Sequence, residues 1–134
     1  MNILNGNISQ VQSHEGLSLV RVQSKDVAFS AIVLDTPETS DYLKTGNEVR
    51  IIFKETEVMI SKDLNPNISI QNKLLCRIES IENGAILSQI NLMHDQQAIK
   101  SIITRNACEQ LDLKENDTVL ALIKTNEVSL SAHD

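Results

Sequence analysis

Short apolar runs rich in β-branched residues recur along the chain, each closed by a turn signal, and they predict strands rather than long helices. In the second half "LLCRIESI", "AILSQINL" and "AIKSIIT" are three such runs. Asn83-Gly84, between the first two, is a dipeptide that favours a tight hairpin. "NACEQL" follows, with Asn106 as the expected N-cap and Glu109 three residues on, the pattern of a short helix. "TVLALI" and "EVSLS" come last, joined by the short "KTN" connection. The first half has the same order. Strands are predicted near Ile3–Val11, Leu17–Gln23 and Val27–Leu34, and a short helix opens at Thr36-Pro37-Glu38, where proline suits the first turn. "EVRIIF" and "EVMIS" complete it.

The parallel extends to residue identity. Laid on one another at an offset of 70, residues 42–61 and 112–131 share seven identities in twenty positions. These are Leu43/Leu113, Lys44/Lys114, Val49/Val119, Lys54/Lys124, Glu57/Glu127, Val58/Val128 and Ser61/Ser131. The register also holds upstream, at Ile8/Ile78, Ala28/Ala98 and Ile32/Ile102, with a small length difference expected in the first hairpin. An internal repeat of this kind implies two homologous modules. Three strands, a short helix and two strands is the order of a small OB-like barrel. The expected fold is all-β with short helices: two tandem OB-like β-barrel modules, βββαββ each. Residues 1–63 form the first module, 64–68 (with Asn65-Pro66-Asn67) a linker, and 69–134 the second. A module of this size buries only about 60% of its unfolded surface. Pairing of the modules, and oligomerisation of the chain, are the physical remedies.

Composition narrows the function. The net charge of -6 opposes duplex nucleic-acid binding, which needs a Lys/Arg surface to displace counterions. Phe29, Tyr42 and Phe53 are too few to stack bases. No apolar run reaches the roughly 18 residues of a membrane span, and "MNILNGNISQ" does not have the form of an export signal. A cytoplasmic location is expected, with Cys76 and Cys108 reduced and buried as small hydrophobes. His14, His94 and His133 fall in predicted turns or at the terminus without metal-ligand spacing. Each is expected to be a solvated loop histidine, and no metal site is predicted. With no nucleophile elbow or P-loop, an enzyme is the weaker class.

Small-anion binding fits better. A tetrahedral oxyanion is held by convergent N–H and hydroxyl donors with one or two cations. "SIQN" (Ser69–Asn72) offers a hydroxyl, two amides and backbone N–H groups, and Lys124-Thr125 an ammonium and a hydroxyl. From spacing alone, a solvated linker and an exposed turn lysine are the favoured reading.

The second module resembles the Mop (molbindin) type of TOBE domain along nearly its whole length. The resemblance rests on "SIQNKLLCRIESIENGAILSQINL", "SIITRNACEQLDLKEND" and "VLALIKTNEVSLS". These follow the family's S-A-R-N-Q-L-x-G, G-A-V, I-T-x-I-I-T and A-x-I-K-A/S stretches in order, and the whole chain resembles the tandem form. The resemblance implies OB-like modules, a homo-oligomer (a trimer of tandem chains), and molybdate or tungstate held between modules without catalysis, for molybdenum storage or homeostasis. Carried over by position, the oxyanion ligands are Ser69, Gln71, Asn72, Lys124 and Thr125. Gln71 replaces the usual arginine and removes one positive charge; Cys76 stands at the usual glycine and is expected to pack in the first strand. The first module keeps Asn2 and Lys54, while Glu55 follows its lysine. Glu55 is either a surface acid facing solvent or a carboxylate that repels the anion. The alternative function is a regulatory or interaction module with a degenerate pocket, sensing another anion or acting through protein contacts. Without a helix-turn-helix pattern or P-loop, the chain is expected to lack the DNA-binding or ATPase part of larger relatives.

Overall fold

Along the first strand every second residue is buried: Asn2, Leu4, Gly6 and Ile8 face inward while their neighbours face water, the period-two signature of a half-buried strand. The computed structural model describes residues 1–132. It contains β1 (Asn2–His14), β2 (Leu17–Ser24), β3 (Val27–Val33), β4 (Glu48–Phe53), β5 (Met59–Ser61), β6 (Asn72–Asn83), β7 (Leu87–His94), β8 (Gln97–Thr104), α1 (Arg105–Gln110), β9 (Thr118–Ile123) and β10 (Ser129–Ala132). The strands make two five-stranded antiparallel sheets, ordered β10-β4-β1-β2-β3 and β5-β9-β6-β7-β8. Each is a curled half-barrel of OB-like form, as the element order predicts.

The repeat is exact in register. Asn2 lies opposite Phe53 and Asn72 opposite Ile123; irregularities after Ile8 and after Ile78 bend the two long strands at matching points. The offset of 70 persists through the first hairpin, since Ser13 faces Ser18 and Asn83 faces Ser88. The expected length difference is therefore absent. The turns differ instead. Glu15 and Gly16 both take positive φ and let β1 and β2 zip one pair further, to His14 and Leu17. In the second copy three residues, 84–86, link the strands, and the Gly84 N–H donates to the Leu87 carbonyl at 2.7 Å. The Asn83-Gly84 turn is thus looser than predicted. Gly84 is needed there for space: an added Cβ would stand 2.8 Å from the Leu87 oxygen.

The short helices also need correction. α1 starts earlier than Asn106 suggests, because Thr104 ends β8 in an extended conformation and its hydroxyl accepts from the Ala107 N–H. At 36–40 there is only a turn, in which the Thr36 carbonyl accepts from both the Thr39 and Ser40 N–H groups. The Thr39 hydroxyl accepts from the Thr36 N–H at 2.8 Å, a local bond that competes with helix extension.

The closing strands cross over. β5, from the first half of the chain, pairs with β9; β10, from the second half, pairs with β4. Each half of the repeat completes the other half's sheet. One hydrophobic core results, joining Leu4, Ile51, Phe53 and Val58 to Leu74, Ile90, Ile123 and Val128. The marginal size of a single module is thereby overcome within one chain.

Candidate functional site

The segments "SIQN" and "KT" meet at one end of the β6–β9 pair. Asn72 is the last partner of Ile123, so Gln71 and Lys124 lie one step beyond, where the two strands leave the sheet. Lys124 is extended (φ −65°, ψ 147°), and its carbonyl accepts from the Glu127 N–H at 3.0 Å, closing a single 3₁₀ turn over Thr125–Glu127. This turn leaves Lys124 exposed and Thr125 half-buried; Ser69 and Gln71 are exposed on the incoming segment. A hydroxyl, an amide and an ammonium are thus available to water at one sheet end.

Asn72 plays a different part. It is buried, 1% exposed, and its amide is bonded to the peptide group of Ser30 in β3 of the other sheet. Its Oδ1 accepts from the Ser30 N–H at 2.7 Å and its Nδ2 donates to the Ser30 carbonyl at 2.9 Å. Asn2 makes the matching pair with Lys100 in β8, both bonds at 2.9 Å. Each module reads the backbone of the other through its asparagine, satisfying groups on the third strand that no sheet neighbour takes.

The first copy has the same frame and differs at the residue after its lysine. Lys54 holds the conformation of Lys124 (φ −78°, ψ 151°) before a 3₁₀ turn over Glu55–Glu57. Glu55 is neither turned to open solvent nor unpaired: its Oε1 lies 2.8 Å from the Met1 α-ammonium. That hydrogen bond, with a backbone N–H and the charge of Lys100, holds its carboxyl below the usual carboxylate range. An internal carboxylate therefore occupies the position filled by the neutral Thr125 in the second copy. A cleft of about 200 Å³ is lined from both turns, by Lys54 and Glu57 of the first copy and Asn126 and Glu127 of the second, with Met1 and Phe53.

Other candidate groups divide. His14 is exposed, as expected. His94 is not a solvated loop residue: it ends β7 on the inward face and is buried, because its Nδ1 reaches the Leu75 carbonyl at 2.7 Å. His133 lies outside the described residues. Cys76 and Cys108 are buried free thiols, and Cys76 packs in the first strand of its module. Burial pushes the Cys76 thiol up to about 12. No helix among the described residues is long and apolar enough to cross a membrane.

Residues 68–130 match the TOBE domain family model. The chain is similar to two curated proteins, each a molybdenum import ATP-binding protein ModC. It is 34% identical to that of Rhizobium etli and 29% to that of Rhizobium johnstonii, over 92% of this chain in both cases. The chain spans only about a third of the length of these relatives (32% of each). Among solved structures it superposes on the cytoplasmic molybdate-binding protein ModG, determined with molybdate bound, with a TM-score of 0.91 and 25% identity, covering 98% of this chain and 96% of that one. Residues 68–130 thus match the TOBE domain, and the whole chain has the two-domain, Mop-like fold of that molybdate-binding protein.

Proposed function

We propose that this protein binds molybdate or tungstate reversibly and without catalysis, serving cytoplasmic molybdenum storage or homeostasis. The observation that supports this reading is the pairing of Asn72 with Ile123, which brings the "SIQN" and "KT" segments to the same end of the β6–β9 pair, on a fold shared with a molybdate-bound protein. Backbone N–H groups of the incoming segment, two hydroxyls and an amide would donate to the oxyanion, and the Lys124 ammonium would supply charge-assisted attraction. Asn72 would act mainly by fixing where this segment leaves the sheet. With Gln71 in place of an arginine, the charge assistance comes from Lys124, which suits release as well as capture. The net charge of -6 is compatible with such a site, because salt screens charges beyond about 8–10 Å.

In this account binding relies mainly on the second copy. Glu55, a carboxylate where the second copy has the neutral Thr125, disfavours an anion at the first. Exposed apolar side chains, among them Ile3, Met59, Ile68 and Leu75, provide surface that a homo-oligomer, a trimer of tandem chains, would cover. The proposed modules, 1–63 and 69–134 joined by 64–68, describe the repeat in sequence; in space each is completed by the other's last strand.

Isothermal titration with molybdate, tungstate, sulfate and phosphate tests the proposal. Heat and thermal stabilisation are expected with the first two; no response to any of the four at millimolar concentration would overturn it. One observation favours a second function, a regulatory module acting through protein contacts: the matched curated relatives are molybdenum import ATP-binding proteins about three times as long. Absence of oxyanion binding together with association to an ATPase subunit would establish that alternative.

A further inference from the structure

The turns β2–β3 and β7–β8 belong to different sheets and meet at Asp26, His94 and Asp95. One ligand atom from each of the three lies within 4.8 Å of the other two. His94 is 8% exposed, and its Nδ1 stands 2.7 Å from the Leu75 carbonyl. A carbonyl can only accept, so Nδ1 carries the proton and the lone pair of the neutral ring is on Nε2. That nitrogen faces the acids, 3.9 Å from Asp26 Oδ1, beyond hydrogen-bonding distance. A buried imidazole is thus held by its back nitrogen, with its front nitrogen unbonded and directed at two carboxylates.

We propose that Asp26, His94 and Asp95 form a divalent-cation site that ties one sheet to the other. The donor set, one imidazole and two carboxylates, suits Zn²⁺ or Mn²⁺. The Nδ1–H bond to a backbone carbonyl is the outer contact that orients metal-bound histidines. Metal–ligand bonds of about 2.0–2.2 Å would draw the three atoms to roughly 3–3.5 Å apart. Asp26 can supply this movement, since its side chain is 74% exposed. Asp95 sits at φ 53°, in the left-handed region that aspartate tolerates, which sets the turn without glycine. Three protein ligands leave the remaining positions to water.

The internal repeat supplies a control. Seventy residues away the equivalents of His94, Asp95 and Asp26 are Ser24, Lys25 and Gln96. Ser24 donates to the Asn5 carbonyl at 2.7 Å, the same backbone anchor that His94 uses, but carries no ligand beyond it. The anchoring role is common to both copies, and the ligand set belongs to one. A single site per chain follows.

The test uses the full chain, freed of metal with a chelator and kept without oxyanion, titrated with Zn²⁺ and with Mn²⁺ by calorimetry and thermal unfolding. One ion per chain and a raised melting temperature are expected, and Asp26→Asn and Asp95→Asn should each weaken binding about tenfold or more. These changes keep side-chain shape and spare the buried histidine, and unchanged circular dichroism would verify the fold. His14→Ala should bind as the parent does. No saturable binding of either ion to the parent chain, or affinity unchanged in both aspartate variants, would overturn the proposal.

Discussion

The amide of Asn72 and the peptide group of Ser30 exchange two hydrogen bonds, at 2.7 and 2.9 Å, across the boundary between the sheets. Replacing Asn72 by alanine would leave a buried N–H and a buried carbonyl without partners. The expected loss is about 2–6 kcal/mol, from about 1–3 kcal/mol for each orphaned group. Asn2→Ala should cost less, since its Lys100 partner is exposed and water can replace the amide. Urea unfolding would read both as a lower midpoint at unchanged slope.

The exchange of β5 and β10 makes the two sheets interdependent. Unfolding either half removes an edge strand from the other and opens the shared core. A single cooperative transition is expected, with the slowest amides of β4 and β9 exchanging at the same free energy. Native-state hydrogen exchange measures this directly; two separated transitions would contradict it.

Gly6 and Cys76 occupy equivalent places in β1 and β6, yet only one has room for a side chain. A Cβ on Gly6 would stand 2.6 Å from Val22 Cγ1 and 2.8 Å from the Gln23 carbonyl oxygen. Gly6→Ala should therefore destabilise by about 1–3 kcal/mol through overpacking, measurable by the same urea titration.

The Cys76 thiol, raised to about 12 by burial, should resist alkylation and disulfide exchange in the folded protein at pH 8. Both thiols should react once the chain is unfolded in urea. From about pH 9 upward the unfolded thiol ionises while the folded one stays protonated, so stability falls as pH rises from about 9 towards 12. Cys76→Ala should flatten that alkaline decline, read by thermal unfolding from pH 8 to 11.

The order of the strands and the repeat were legible because they depend on local signals: β-branched runs, turn residues and an offset that never slips. β4 and β9 coincide with "EVRIIF" and "TVLALI" to the residue. What sequence could not reveal is which sheet a three- or four-residue strand joins. β5 and β10 have too few residues to encode a partner, and the shared core decides. The role of Asn72 was hidden for a related reason. An asparagine beside a ligand segment reads as a ligand until its partner, 42 residues away, is in view. His94 was misplaced because its position beside Asp95 resembles a turn, whereas its partner is the Leu75 carbonyl on the adjacent strand. Glu55 needed the fold to show what opposes it. The repeat itself flagged that position, because Glu55 and Thr125 differ within otherwise matching phrases.

In the proposed function one copy binds the oxyanion and the other mainly builds the frame. Equilibrium dialysis of molybdate against the parent chain, Lys124→Ala and Lys54→Ala tests it most directly. Lys124→Ala should lose about tenfold or more in affinity, the order expected for one charge-assisted hydrogen bond of 1.5–3 kcal/mol, while Lys54→Ala binds nearly as the parent does. Equal losses from both variants, or a larger loss from Lys54→Ala, would contradict it.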